Sequence, residues 1–111
     1  MPNPNRRRGF DFERELVHAA QAAGLEARRA YGSNGLSLPG CVEEVDVLVA
    51  GHKAQCKRRR ALPGYLQIPD GCDVVVCRQD RGPVLVLCKL EDWLSLVANT
   101  ARPKAGEGDA Q

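Results

Sequence analysis

One stretch in the middle of the chain constrains the fold more than any other, because it has the pattern of a β-hairpin. Val42 to Ala50 alternates in the manner of a strand, Gly51-His52 offers a turn, and Lys53 to Lys57 returns as a second strand. Two strand-like runs joined by a two-residue turn that contains glycine are typical of paired antiparallel strands. The sequence therefore predicts an antiparallel hairpin at the centre of the fold.

The register of this hairpin decides which side chains share a face. A two-residue turn at Gly51-His52 predicts that Asp46 lies opposite Lys57, and successive side chains of a strand point to opposite faces. The polar face would then contain Glu44, Asp46, Gln55 and Lys57. The apolar face would contain Val45, Val47, Val49, Ala54 and Cys56. A slip of one residue would break this arrangement, so the grouping depends on the position of the turn.

Asp46 and the triplet Gln55-Cys56-Lys57 would give the polar face a specific chemistry. Two oxygen ligands a few ångströms apart can hold a divalent metal such as Mg²⁺, which polarises a phosphoryl oxygen and lowers the pKa of a bound water. A neighbouring lysine can orient that water or neutralise charge on the phosphate. Phosphodiester hydrolysis needs these parts. The alternative is structural: a charged edge hairpin with an Asp46–Lys57 ion pair across the strands.

A first helix is predicted over Asp11 to Ala23, ending at Gly24, and it places one carboxylate on its apolar side. At about 100° per residue, Glu13 projects from the middle of the apolar arc, beside Leu16 and Ala20. A carboxylate directed into the interior must find a cation or hydrogen bonds. We therefore expect either a buried ion pair with an arginine or a ligand of an active site.

The remaining patterns predict short strands and one further helix within a single domain. The predicted strands are Leu25 to Tyr31, Cys72 to Arg78 and Pro83 to Lys89, a basic connection runs from Arg58 to Gly71 with one helical turn at Tyr65 to Ile68, and a short helix runs from Leu90 to Ala98. A length of 111 residues suits one compact domain. We expect a flexible basic arm over 1–8, the folded domain over 9–101 and a disordered tail over 102–111.

The charge of the chain is nearly balanced, but its distribution is not. The 16 Lys and Arg residues exceed the 14 Asp and Glu residues by only two. One basic block comprises Arg6, Arg7 and Arg8, and the second comprises Lys53, Lys57, Arg58, Arg59 and Arg60. Guanidinium groups bind phosphate oxygens bidentately, so these blocks indicate a phosphate-rich partner. A solvated charged face is the alternative for either block alone.

The cysteines and the apolar runs indicate the compartment. Five cysteines without any Cys-x-x-Cys pair match neither a zinc site nor a disulfide framework, and we expect Cys56, Cys77 and Cys88 to be small buried hydrophobes. No apolar run approaches the roughly 20 residues of a membrane span. The N-terminus lacks the apolar stretch of a signal peptide. We therefore expect a cytoplasmic protein without a membrane partner.

Asp46 followed by Gln55-Cys56-Lys57 resembles the acid and Glu-x-Lys signature of the PD-(D/E)xK nuclease superfamily. More specifically, the chain resembles the archaeal-type Holliday junction resolvases and their phage or bacterial relatives. Arg6-Arg7-Arg8-Gly9 leading to Phe12-Glu13-Arg14 is similar to their N-terminal motif, and Gly32-Ser33 is similar to their Gly-Ser segment after the first strand. The similarity covers most of the chain, from about Arg6 to Trp93.

The resemblance implies an α/β fold of restriction-endonuclease type, in which helices flank a small mixed sheet. It implies Mg²⁺-dependent cleavage of four-way DNA junctions, with Mn²⁺ as a substitute, by a homodimer that places paired nicks on opposite strands. By the same resemblance, Glu13, Asp46 and Gln55 would hold metal, Lys57 would assist the water and Ser33 would contact the phosphate. The DNA backbone would be bound by Arg6, Arg7, Arg8, Arg58, Arg59 and Arg60.

Two departures from the resolvase pattern matter for function. Gln55 stands where resolvases usually have glutamate, so the site lacks one negative charge, although Mrr-like restriction nucleases also use Gln-x-Lys. Glu44 could restore the missing charge. The connection from Arg58 to Gly71 is shorter than the resolvase helix that helps to build the dimer. Two alternatives therefore stay open: a restriction- or repair-type nuclease acting on duplex DNA, and a DNA-binding module of the same fold without catalysis.

Overall fold

The computed structural model describes residues 4–30 and 35–101 of the chain. Over these residues it has two α-helices, five short strands and two 3₁₀ turns. The helices and strands are α1 (Pro4–Ala22), β1 (Ala27–Arg29), β2 (Val47–Val49), β3 (His52–Ala54), β4 (Val74–Arg78), β5 (Val84–Cys88) and α2 (Leu90–Ala101), and the 3₁₀ turns are Gly35–Ser37 and Gly64–Leu66. The chain is therefore of the α/β class, as predicted. The predicted tail over 102–111 lies outside the described residues.

Helix α1 begins earlier than predicted and ends where predicted. Its first residue is Pro4 instead of Asp11, so the flexible arm that we predicted over 1–8 is wrong from Pro4 onward. Proline suits the first helical position, and arginine is a good helix former, so the basic block extends the helix. At the other end Gly24 has φ 84°. The amides of Leu25 and Gly24 donate to Ala20 and Gln21 at 2.9 Å each, which is the Schellman termination that glycine favours.

The first sheet has the antiparallel order β1-β2-β3 and contains the predicted hairpin, but its turn lies one residue earlier. Val49 pairs with His52 and Leu48 pairs with Lys53. The two turn residues are thus Ala50 and Gly51, both with positive φ, 48° and 85°. A two-residue turn of this kind needs positive φ at both positions, and here glycine takes the second. The predicted pairing of Asp46 with Lys57 is therefore wrong by two positions.

A β-bulge at Asp46 changes the faces beyond it. The Asp46 amide donates to the Ala54 carbonyl at 2.8 Å, although the register partner of Ala54 is Val47. Two successive residues of one chain segment thus oppose one residue of β3, which is the definition of a bulge. Val45 consequently packs with Leu48 and not with Val47. The prediction that Val45 shares an apolar face with Val47 is therefore wrong, because the extra residue of the bulge reverses the alternation of side chains.

The second sheet consists of β4 and β5 alone, paired antiparallel from Val74 opposite Cys88 to Arg78 opposite Val84. Both strands agree with the predicted ones to within two residues. The single mixed sheet that we expected is not formed among the described residues. A parallel pairing of β3 with β4 needs a packed crossover, usually a helix. Pro63 and Pro69 interrupt the connection, which forms only the short turn Gly64–Leu66.

Two clusters of buried side chains form the interior. The larger one joins α1, β2 and α2 through Leu16, Ala20, Leu25, Val47, Val49, Leu94 and Val97. The smaller one, on the other side of the sheet, contains Ala30, Leu38, Cys41 and Val45. Cys41 is the buried cysteine of the chain, whereas Cys56, Cys77 and Cys88 are only half-buried, contrary to our expectation. Within the described part of the chain, neither helix combines the length and the apolar character that a membrane span requires.

Candidate functional site

Glu13 lies on the buried side of α1, where the helical angles predicted it. It is 5% exposed, and its Oε1 atom is 3.7 Å from Nη1 of Arg29 on β1. The Arg29 guanidinium also lies 5.0 Å from the ring centre of Phe10, one turn before Glu13 on the helix. The predicted ion pair with an arginine is thus confirmed. A separation of 3.7 Å exceeds that of a hydrogen bond, and Nη1 of Arg29 is buried without a hydrogen-bond partner.

Asp46 is held at the bulge, beyond the last paired residues of β2 and β3. One of its carboxylate oxygens, Oδ2, accepts a hydrogen bond of 2.8 Å from the backbone amide of Cys56. Strand β3 has already ended at Ala54, so the side chain of Asp46 satisfies an amide that the sheet no longer pairs. This contact fixes the carboxylate against the Gln55-Cys56-Lys57 segment. The bulge is therefore the local feature that brings the acid and the triplet together.

Cys56 lies within the electrostatic influence of both carboxylates. Burial, followed by the negative charges of Asp46 and Glu13, raises the pKa of its thiol from 9.0 to about 11. Both acids therefore lie within electrostatic range of one sulfur atom, although one comes from α1 and the other from the segment just before β2. Sequence reasoning treated Cys56 as a core residue and missed this central position. Its place between Gln55 and Lys57 was the available signal.

Gln55 and Lys57 are exposed and line an open cleft next to these acids. The cleft has a volume of about 630 Å³ and lies between α1, the end of β3, β5 and α2. Its walls include Phe12 and Glu15 from α1, Val86 from β5 and Trp93 from α2. The shifted register means that Lys57 is not opposite Asp46, and no ion pair joins them among the described residues. The structural alternative that rested on this ion pair is thus not observed.

The other predicted site residues fall into three groups. Glu44 is exposed in a turn before the strand, so its predicted place on a polar strand face is wrong, since the backbone is not extended there. Ser33 lies outside the described residues, as do the side chains of Arg6, Arg7 and Arg8. Arg58, Arg59 and Arg60 are exposed on an irregular segment, where Nη1 of Arg59 donates to the Arg58 carbonyl at 3.1 Å.

The donor set fits a hard divalent cation of the Mg²⁺ type. Glu13, Asp46 and Gln55 offer only oxygen ligands, and Mg²⁺ usually takes one or two carboxylates and completes its shell with water and substrate phosphate. Across residues 4–30 and 35–101, no three side chains of the His, Cys, Asp and Glu types stand close enough together to hold a metal. Metal binding would consequently depend on the amide oxygen of Gln55 as a third ligand. The negative charge of the three ligands is also reduced, because Glu13 is paired with Arg29.

Comparison of the chain with family models, with curated proteins and with solved structures finds no match in any of the three. Asp46 accepts a hydrogen bond from the Cys56 amide, Glu13 lies within electrostatic range of Cys56, and an amide and a lysine border the adjoining cleft. An arginine run continues from this lysine into solvent.

Proposed function

We propose that the chain is a Mg²⁺-dependent endonuclease that cleaves branched DNA, with the four-way junction as its substrate and a restriction-endonuclease type of fold. The observation that supports this proposal best is the hydrogen bond that holds the Asp46 carboxylate against the Gln55-Cys56-Lys57 segment, whose Gln55 and Lys57 line the cleft. Glu13 lies within electrostatic range of the same segment. Two carboxylates beside an amide and a lysine are the side chains that metal-assisted phosphodiester hydrolysis requires.

Each residue of the proposed site has a separate task. Glu13, Asp46 and Gln55 would hold the cation, which when bound supplies Lewis-acid chemistry to a phosphoryl oxygen. The hydrogen bond from the Cys56 amide keeps the Asp46 carboxylate directed toward this place. The ammonium of Lys57, exposed on the cleft, would orient the attacking water and neutralise charge that develops on the phosphate.

Exposed arginines would supply the contacts to the DNA backbone. Arg58, Arg59 and Arg60 follow Lys57 directly and are all exposed, and guanidinium groups bind phosphate oxygens in a bidentate manner. Recognition would rest on backbone shape and charge, because phosphate contacts position a protein without reading sequence. A domain of this size offers little surface for a four-armed substrate, so we propose a homodimer that presents two sites for paired nicks.

A cleavage assay tests the proposal directly. The protein should nick a synthetic four-way junction in Mg²⁺ or Mn²⁺ and leave its separate linear arms intact. Asp46→Asn should abolish nicking, because it removes a negative charge from the proposed metal site. It should keep junction binding, because it leaves every arginine in place. Asp80→Asn, in the exposed turn between β4 and β5, is the matched control and should nick normally. Equal cleavage of the linear arms would instead indicate a restriction- or repair-type nuclease.

A second candidate is a DNA-binding module that keeps the fold without catalysis. Two observations favour it: the neutral Gln55 replaces an acid at the site, and Glu13 is already paired with Arg29. Both lower the negative charge that attracts a divalent cation. Retarded migration of junction DNA in a gel, without nicking in either metal, would support this candidate. Loss of nicking in Asp46→Asn with binding intact would exclude it.

A further inference from the structure

A hydrogen-bonded turn follows the arginine run, and we call it the tip and define it as residues 62–67. The Leu66 amide donates to the Pro63 carbonyl at 2.9 Å, and the Gln67 amide donates to the Gly64 carbonyl at 3.1 Å. The Gln67 side chain closes the loop with a bond of 2.8 Å from Nε2 to the Leu62 carbonyl. The tip therefore has a defined shape, although it belongs to neither sheet.

The tip presents an aromatic ring to solvent. Tyr65 is 72% exposed and Leu62 is 48% exposed. Leu66 and Ile68, its neighbours on the same segment, are half-buried, so the segment packs against the molecule and directs Tyr65 outward. The other aromatic residues of the described part that are not histidine, Phe10, Phe12 and Trp93, are all half-buried. An outward tyrosine on a hydrogen-bonded turn is thus a distinct feature of this surface.

The charge around the tip selects one class of partner. From Lys53 to Pro69 the chain contains no acidic residue, and its cations are Lys53, Lys57, Arg58, Arg59 and Arg60. An aromatic side chain beside a positively charged stretch is the combination that binds nucleic acid with accessible base faces, since every base can stack on a ring. A continuous duplex keeps its bases stacked on each other and offers no such face along its length.

We propose that Tyr65 stacks on an unstacked base of the DNA that the arginine run binds, so that the tip selects DNA with a branch point or a single-stranded segment over continuous duplex. The inference rests on the DNA ligand of the proposed function and not on cleavage. It gives the substrate preference a physical origin, because the arginines bind any phosphate backbone while the ring binds only where a base is available.

The test measures binding in EDTA, so that cleavage plays no part. The ligands are a fluorescein-labelled four-way junction, a single strand of the same sequence and the linear duplex. Tyr65→Ala should weaken binding to the junction and to the single strand by about tenfold, the usual scale of one lost stacking contact, and leave duplex binding unchanged. Tyr65→Phe should bind like the unmodified protein, because stacking needs the ring and not the hydroxyl. Arg59→Ala, the matched control, should weaken all three complexes alike.

Several results would overturn the inference. Equal binding of Tyr65→Ala and the unmodified protein to all three DNAs would do so, and so would an equal loss on the duplex, which would make the tip a general backbone contact. A 2-aminopurine base at the branch point should be quenched by the unmodified protein and by Tyr65→Phe, but not by Tyr65→Ala. A protein that binds and quenches without ever nicking would refute the proposed nuclease and leave the stacking role intact.

Discussion

The two sheets of this molecule differ in a way that their strand lengths do not predict. In the first sheet β2 has only three residues, yet Val47 and Val49 are completely buried. In the second sheet β4 and β5 have five residues each, yet Val76 is 60% exposed and Val86 is 63% exposed. The first sheet has a layer on both faces, formed by the helices and by the segment around Leu38 and Cys41. A second packed layer, not strand length, is what makes a sheet rigid.

Both candidate acids lie at the better packed of the two sheets. Glu13 and Asp46 lie at the well-packed first sheet, where α1, β1 and the bulge hold them in place. The poorly packed hairpin of β4 and β5 forms only the far wall of the cleft, through residues such as Val86. Functional groups need rigid support, whereas a cleft wall can tolerate more motion. Equal changes in stability after equivalent substitutions in the two sheets would contradict this contrast.

The largest expected difference comes from two leucines. Leu94 is 5% exposed within the main cluster, and Leu85 on β5 is 58% exposed. Leu94→Ala should lower the free energy of unfolding by about 3 kcal/mol, because it removes buried methylene groups and leaves a cavity. Leu85→Ala should change it by less than about 0.5 kcal/mol. Urea unfolding curves measure both. Comparable losses for the two variants would mean that β5 is packed as tightly as α2 in solution.

The next effect concerns thiol reactivity, and it compares Cys56 at the site with exposed Cys72, just before β4. A pKa of about 11 in place of 9.0 leaves about a hundredfold less thiolate at pH 8. Cys56 should therefore react far more slowly with iodoacetamide than Cys72, and its rate should still rise between pH 9 and 11. Asp46→Asn removes a negative charge, lowers this pKa and should speed the reaction. Peptide mass spectrometry follows each site. Alkylation of both cysteines at one rate would contradict the raised pKa of Cys56, and an Asp46→Asn variant that reacts no faster would argue against a contribution from the carboxylate.

A smaller effect is expected from two neighbouring arginines of β1. Arg29 is paired with Glu13, whereas Arg28 is exposed on the same strand. Arg29→Met should lower the free energy of unfolding by about 1–2 kcal/mol at pH 7, because it removes the positive charge that lies 3.7 Å from the buried carboxylate of Glu13. Arg28→Met should be nearly neutral. If Glu13→Gln restores the lost stability in the Arg29→Met background, the ion pair is the cause; an additive double variant would assign the loss to packing alone.

The sequence predicted the elements whose signals are local and missed those decided by contacts between strands. The helix end at Gly24, the central hairpin and the inward position of Glu13 follow from glycine and from helical angles. The bulge cannot be predicted in this way, because it depends on contacts with two neighbouring segments. The Ala30 amide, just after β1, donates to the Asp46 carbonyl at 2.8 Å, whereas the Asp46 amide donates to Ala54 of β3. No pattern within β2 and β3 contains that information. The role of Cys56 was missed for the same reason, since it depends on acids from two other elements.

The smallest expected effect comes from relieving backbone strain in the two hairpin turns, and it tests whether the two sheets unfold together. Each hairpin has one non-glycine residue at positive φ, Ala50 at 48° in the first turn and Arg81 at 65° in the second. Glycine adopts this conformation without strain, so Ala50→Gly should raise the free energy of unfolding by about 0.5–1 kcal/mol. Arg81→Gly relieves the same strain, but it should raise only the hydrogen-exchange protection of the β4 and β5 amides, because we expect this exposed hairpin to open by itself before the molecule unfolds. An equal gain in the free energy of unfolding for Arg81→Gly would show that the hairpin unfolds together with the first sheet. The two sheets would then differ in side-chain exposure but not in the cooperativity of unfolding.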